Sequence, residues 1–93
     1  MPTFEVFYAN DITAGYNRAA GVPVSLKELH SVARATADDL EHLFRMFNAV
    51  EEGDLPIKLG IRSMSVGDVA HDMDSGEFWH CSIIGWERVS VTP

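Results

Sequence analysis

The stretch from Arg62 to Glu87 leaves the chain few ways to fold. A polar turn into Val66-Gly67-Asp68-Val69 starts one strand, Phe78 to Ile84 runs back as another, and Asp74-Ser75-Gly76 lies between them. Two such runs around a Gly-containing turn predict an antiparallel hairpin. With a three-residue loop, Met73 faces Glu77, His71 faces Trp79 and Val69 faces Cys81. One face then holds Val69, His71, Trp79, Cys81 and Ile83, and the other Ala70, Asp72, Phe78, His80 and Ser82. Gly85 interrupts the alternation and reads as a bulge that redirects Trp86. Val89 and Val91 extend the strand.

The rest of the chain supplies a sheet and a helix to cover it. Thr3–Ala9 reads as a strand with Phe4, Val6 and Tyr8 on one face and Glu5, Phe7 and Ala9 on the other. Apolar residues on both faces predict a central or covered strand. Asn10–Gly21, with Gly15 and Gly21, reads as a long loop. Ser25 and Glu28 have the spacing of a capping box around a short turn. His30–Thr36 fits either a continuation of that turn or a second strand. The strand is preferred, because Thr36-Ala-Asp-Asp39 looks like a new helix start. Leu40, Leu43, Phe44, Phe47 and Val50 then recur at steps of three and four, which predicts an amphipathic helix over about 37–51. Ile57–Ile61 reads as a short strand. The expected architecture is α+β: a mostly antiparallel sheet of four to five strands with that one main helix packed on one face.

Size and charge exclude several functions. A chain of 93 residues predicts a single small domain over residues 1–93, with one modest core and little room for a deep substrate cavity. The acids and bases of residues 1–35 cancel. Residues 36–93 hold eleven acids against Arg45, Lys58, Arg62 and Arg88, so the whole net charge of −7 sits there. Direct binding to nucleic acid or to an anionic membrane is disfavoured by that balance. No apolar run is long enough to span a bilayer, and no basic region followed by an apolar one suggests a secretion signal. Cys81 is the sole cysteine, so no internal disulfide can form and a cytoplasmic setting is expected.

No catalytic, metal or cofactor residue stands out. His71, Asp72, Asp74, Glu77 and His80 crowd the hairpin, but the expected pairing sends the two histidines to opposite faces. His80 and Cys81 are neighbours on a strand, so they also point apart and cannot act as base and nucleophile. There is no glycine-rich phosphate loop. Gly67-Asp68 reads as a strand-entry turn in which Asp68 accepts backbone hydrogen bonds, including from the Ser63–Ser65 segment. The aromatics Phe78, Trp79 and Trp86 are the candidate partner-binding residues, with Phe78 or Trp86 the one expected to be exposed. Asp38, Asp39 and Glu41 join them as the acidic candidates.

Thr36–Asn48, Arg62-Ser-Met-Ser-Val-Gly-Asp-Val69 and the closing Gly85-Trp86-Glu87 occur in an order that resembles small uncharacterised proteins of actinobacteria, their phages and haloarchaea. More distantly it looks like the YodL-type domains of bacterial mobile elements. The resemblance spans residues 30–87 and implies an α+β domain and a phage or mobile-element setting, with no catalytic residue to carry over. Three function classes follow. The first is a non-enzymatic module that binds a host-encoded protein. The second is an acidic nucleic-acid mimic using the acids from Asp38 to Glu77. The third is a small metal or enzymatic protein using His71, Asp72 and His80. A homodimer through an exposed strand edge is compatible with each.

Overall fold

A computed structural model describes residues 1–18, 21–48 and 55–93. The protein is α+β. Five strands form an antiparallel sheet: β1 (Thr3–Ala9), β3 (Leu29–Thr36), β4 (Val69–Asp72), β5 (Phe78–Ser82) and β6 (Gly85–Val89), in the spatial order β3-β1-β4-β5-β6. β2 (Val24–Ser25) and β7 (Val91–Thr92) form a separate parallel pair. The helices are short: α1 (Ile12–Tyr16), α2 (Leu40–Met46) and α3 (Leu55–Leu59).

β1 lies between β3 and β4, as its two apolar faces require. Phe4, Val6 and Tyr8 join Ala70 beneath Leu43 and Phe47 of the α2 region, with Ala37 and Met64 closing the main core. Burying Leu43 and Phe47 stabilises the fold by about 1.5–3 kcal/mol each before chain entropy is counted. On the opposite face, Val24, Leu29 and Val69 form a smaller core, flanked by Phe7, Phe78, Val89 and Val91. The strand reading of residues 30–36 holds. The β1–β3 register shifts between Val6 and Phe7, so that Val32 is an extra residue on β3, and Val32 and Ala33 both pack against the main core.

Several expectations need correction. The hairpin loop has four residues, Met73–Gly76, not three. Asp72 Oδ1 accepts from the N–H groups of Asp74 (2.9 Å) and Ser75 (3.2 Å), Gly76 N–H donates to Asp72 O (2.8 Å), and Asp72 N–H donates to Glu77 O (2.8 Å). Because side chains alternate, this one-residue change reverses how the faces combine. Val69 pairs with His80, Ala70 with Trp79 and His71 with Phe78. His71 and His80 therefore share a face.

Strand β5 also ends sooner than expected. The chain turns at Ile83-Ile84 and returns as β6, with Ser82 paired to Gly85. Gly85, at φ 129°, takes the positive-φ position after the turn that a side chain would resist, so it starts a strand rather than bulging one. Residues 57–61 are not a strand. α3 ends in a Schellman motif, with Ile61 N–H donating to Pro56 O (2.9 Å), Gly60 N–H donating to Ile57 O (3.2 Å) and Gly60 at φ 69°.

The main helix is shorter than 37–51. Its N-cap is Asp39, whose Oδ1 accepts from His42 N–H (2.8 Å), while Thr36 ends β3. Phe47 is its C-cap, and Val50 and Glu51 lie outside the described residues. The Asn10–Gly21 loop contains α1, capped by Asp11 Oδ1, which accepts from Thr13 and Ala14 N–H. The Ser25–Glu28 capping box forms as expected, around a single 3-10 turn.

Candidate functional site

Two glycines and one carboxylate hold the strands that build the site. Gly67, at φ 99°, lets the approach to β4 run directly against the backbone of Gly15 in α1. The next residue, Asp68, is fully buried. Its carboxylate accepts from Ser65 N–H (2.7 Å), Ala9 N–H (3.0 Å) and both terminal nitrogens of Arg62 (2.8 Å each). The expected bond from the Ser63–Ser65 segment is thus one of four. The Arg62 guanidinium lies 4.1 Å from the Tyr8 ring centroid, and Tyr8 Oη donates to Arg62 O (2.9 Å). The hydrogen bond to Asp68 raises the Arg62 pKa. Burial, with Asp68 second, pushes the Tyr8 phenol up to about 12.

From this anchor the β5–β6 hairpin projects to a tip of unusual composition. Ile83 and Ile84 are 73% and 88% exposed, so neither contributes to a core. The Ser82 hydroxyl fixes the turn by donating to Gly85 O (2.8 Å). On one side, Glu41 and Phe44 of α2 meet Cys81, Ile83 and Trp86 around a groove of about 250 Å³. Cys81 and Trp86 face each other across the hairpin. Burial first, then Asp68 and Glu41, pushes the Cys81 thiol up to about 11, so it stays protonated at neutral pH and acts as an apolar wall.

The structure brings two of the six candidate residues into that groove, Trp86 and Glu41. Trp79 shares the Cys81 and Trp86 face but pairs with Ala70 and Arg88. Phe78 belongs to the other face, where its ring stacks on His71 at 4.0 Å with the planes 4° apart. All three aromatics are half-buried, so the exposure expected of Phe78 or Trp86 is only partial. Asp38 and Asp39 have local structural roles: Asp38 lies 3.6 Å from His42 Nδ1, and Asp39 caps α2.

No protein family, curated protein or solved structure matches this chain. The site must therefore be judged on its own chemistry. Among the described residues, no three His, Cys, Asp or Glu side chains gather as metal ligands, and no helix is long and apolar enough to cross a membrane.

The tip itself escaped the sequence reading, although Ser-Ile-Ile-Gly holds one signal, a glycine placed just after two residues that can form a turn. Arg18 and Glu87 were missed as well. They border a hollow of about 190 Å³ on the far side of the hairpin, with Tyr16, His80 and Ile84. His80 is 4% exposed, and its Nε2 has no hydrogen-bond partner.

That imidazole makes stability depend on pH. Burial lowers the His80 pKa below its ordinary 6.5, the Arg18 guanidinium lowers it further, and Glu87 and Asp68 oppose the shift. Well above pH 6.5 the side chain is neutral whether the chain is folded or not. Below it the unfolded chain takes up the proton first, so stability falls as pH drops from 6.5 towards the folded-state pKa. Urea midpoints measured at about pH 7.5 and about pH 5.5 are expected to fall more for the wild type than for His80→Gln. Equal falls would show that another group carries the dependence.

Proposed function

We propose that this protein is a non-enzymatic protein-binding module that grips its partner with the β5–β6 hairpin. The Ile83-Ile84 tip carries the proposal. Two large apolar side chains stand in water at a turn, where polar residues would cost the fold nothing. Covering each would contribute about 1.5–3 kcal/mol to association before ordering costs. Beside the tip, the groove lined by Phe44, Cys81 and Trp86 has room for an apolar side chain from the partner. Glu41 on its rim, together with the net charge of −7, favours a partner with a basic residue next to that side chain.

A host-encoded partner, met by a phage or mobile-element product, rests on the resemblance of residues 30–87 alone, and a cytoplasmic setting on the single cysteine. Nucleic-acid mimicry is the weaker reading, because Asp39 is engaged in capping α2 and Asp38 lies beside His42.

The test is affinity capture with wild type and with an Ile83→Ser/Ile84→Asn double variant, both checked to be folded. These two positions can be changed without touching a core, whereas Trp86 packs against the main one. A protein held by wild type is expected to bind the variant at least about ten-fold more weakly. Equal retention, or no protein held by either, would overturn the proposal.

A further inference from the structure

The second hollow has a chemistry distinct from that of the groove. It is bordered by one cation, Arg18, one anion, Glu87, and the buried imidazole of His80, with Val66, Ile83 and Ile84 as apolar walls. The two charges come from different parts of the chain. Arg18 follows α1, and its Nη1 donates to Gly67 O (2.9 Å), which holds the guanidinium in place without neutralising it. Glu87 stands opposite His80 in the β5–β6 ladder. Neither Arg18 nor Glu87 has an ion-pair partner among the described residues. His80 Nε2 is the one buried side-chain polar atom among the described residues without a hydrogen bond.

A simple anion would satisfy Arg18 but would face Glu87 and a protein of net charge −7. A simple cation would meet Glu87 and face Arg18. A molecule with both charges meets both and adds no net charge. We infer that this hollow binds a small zwitterion: an α-amino acid with a modest apolar side chain, its carboxylate on Arg18, its ammonium on Glu87 and its side chain against Val66, Ile83 and Ile84. The hollow opens on the opposite face of the hairpin from the groove but shares Val66, Ser82 and Ile83 with it, so a partner covering the tip would compete with the zwitterion, and binding to the isolated protein is tested separately from any partner.

The test is an NMR titration of the whole chain with three compounds of the same carbon skeleton: leucine, 4-methylpentanoate, which lacks the ammonium, and leucinamide, which lacks the carboxylate. Leucine is expected to shift the amide signals of His80, Ser82, Ile83 and Ile84 and the His80 ring signals, and to saturate. Each analogue is expected to bind roughly ten-fold more weakly, because it leaves one charge unmet. Arg18→Gln should abolish binding. As that change also removes the bond to Gly67, Glu87→Gln is the cleaner variant, since it breaks no ion pair among the described residues. It should weaken leucine and bring 4-methylpentanoate level with it. Analogues that bind wild type as well as leucine does would overturn the zwitterion assignment. Shifts outside the hollow, or no shift at all, would overturn the site.

Discussion

Gly67→Ala is expected to lower stability by about 3 kcal/mol or more, a large part of what a small domain possesses. Two costs combine. At φ 99° an L side chain is strained whatever the space around it. Here there is also no space: a Cβ on Gly67 would sit 2.5 Å from Gly15 O and 2.6 Å from Gly15 Cα, closer than such atoms ever approach. The obstruction is backbone, so no rotamer can relieve it. Either α1 moves away from the approach to β4, or Gly67 leaves the conformation that delivers Asp68 to its four donors.

Gly76→Ala is the matched control. Gly76 has φ 82°, and a Cβ there would meet nothing within 4 Å. It isolates the cost of the backbone angle, about 1 kcal/mol. Urea unfolding of both variants followed by circular dichroism separates the two terms. Equal losses would mean that the Gly15 contact contributes nothing.

What could be read from the sequence and what could not divide along a physical line. β1 was legible because Phe4, Val6 and Tyr8 alternate with Phe7, a pattern that only a strand covered on both faces explains. Asp68 was legible as an acceptor, since a Gly-Asp pair at a strand entry leaves backbone N–H groups to satisfy. The hairpin register was not. Asp-Ser-Gly suits a loop of three residues or of four. The longer one is supported by Asp72 Oδ1 and by two bonds to β1, Met73 N–H to Thr3 O (2.9 Å) and Thr3 N–H to Asp74 Oδ2 (3.2 Å). Those last two are contacts between distant parts of the chain that no local pattern encodes.

The same reason hid the site. Ser82-Ile83-Ile84 reads as strand because isoleucine favours strands, and the turn is marked only by the Ser82 hydroxyl bond to Gly85 O and the positive φ of Gly85. Glu41 and Trp86 were each picked out, but their meeting depends on where α2 crosses the sheet. Arg18 lies in what looked like a plain loop, and nothing in its neighbours announces that it reaches the backbone of Gly67 and the edge of a hollow.

Asp68→Asn is expected to cost about as much as breaking a buried ion pair, roughly 3–5 kcal/mol, although it changes the side chain's shape very little. The native carboxylate only accepts, and it accepts four times. An amide retains one oxygen and turns the other position into a donor. Each native oxygen accepts from one Arg62 nitrogen and one backbone N–H, so at either position that NH₂ group faces both, and two donors are left opposite a donor in a buried site. Arg62 also loses the counter-charge that fixes it over Tyr8. The Tyr8 phenol gives an independent readout. Its pKa of about 12 owes most to burial and next to the Asp68 charge, while Arg62 pulls it down. In a folded Asp68→Asn variant the burial and the guanidinium remain but the raising charge is gone, so the phenol is expected to titrate at lower pH. The double variant Arg62→Met/Asp68→Leu removes both charges but also leaves the Ser65 and Ala9 N–H groups without their acceptor, so it is not expected to restore wild-type stability. A loss below about 1 kcal/mol in Asp68→Asn, with the Tyr8 titration unmoved, would mean that this network does not anchor the start of β4.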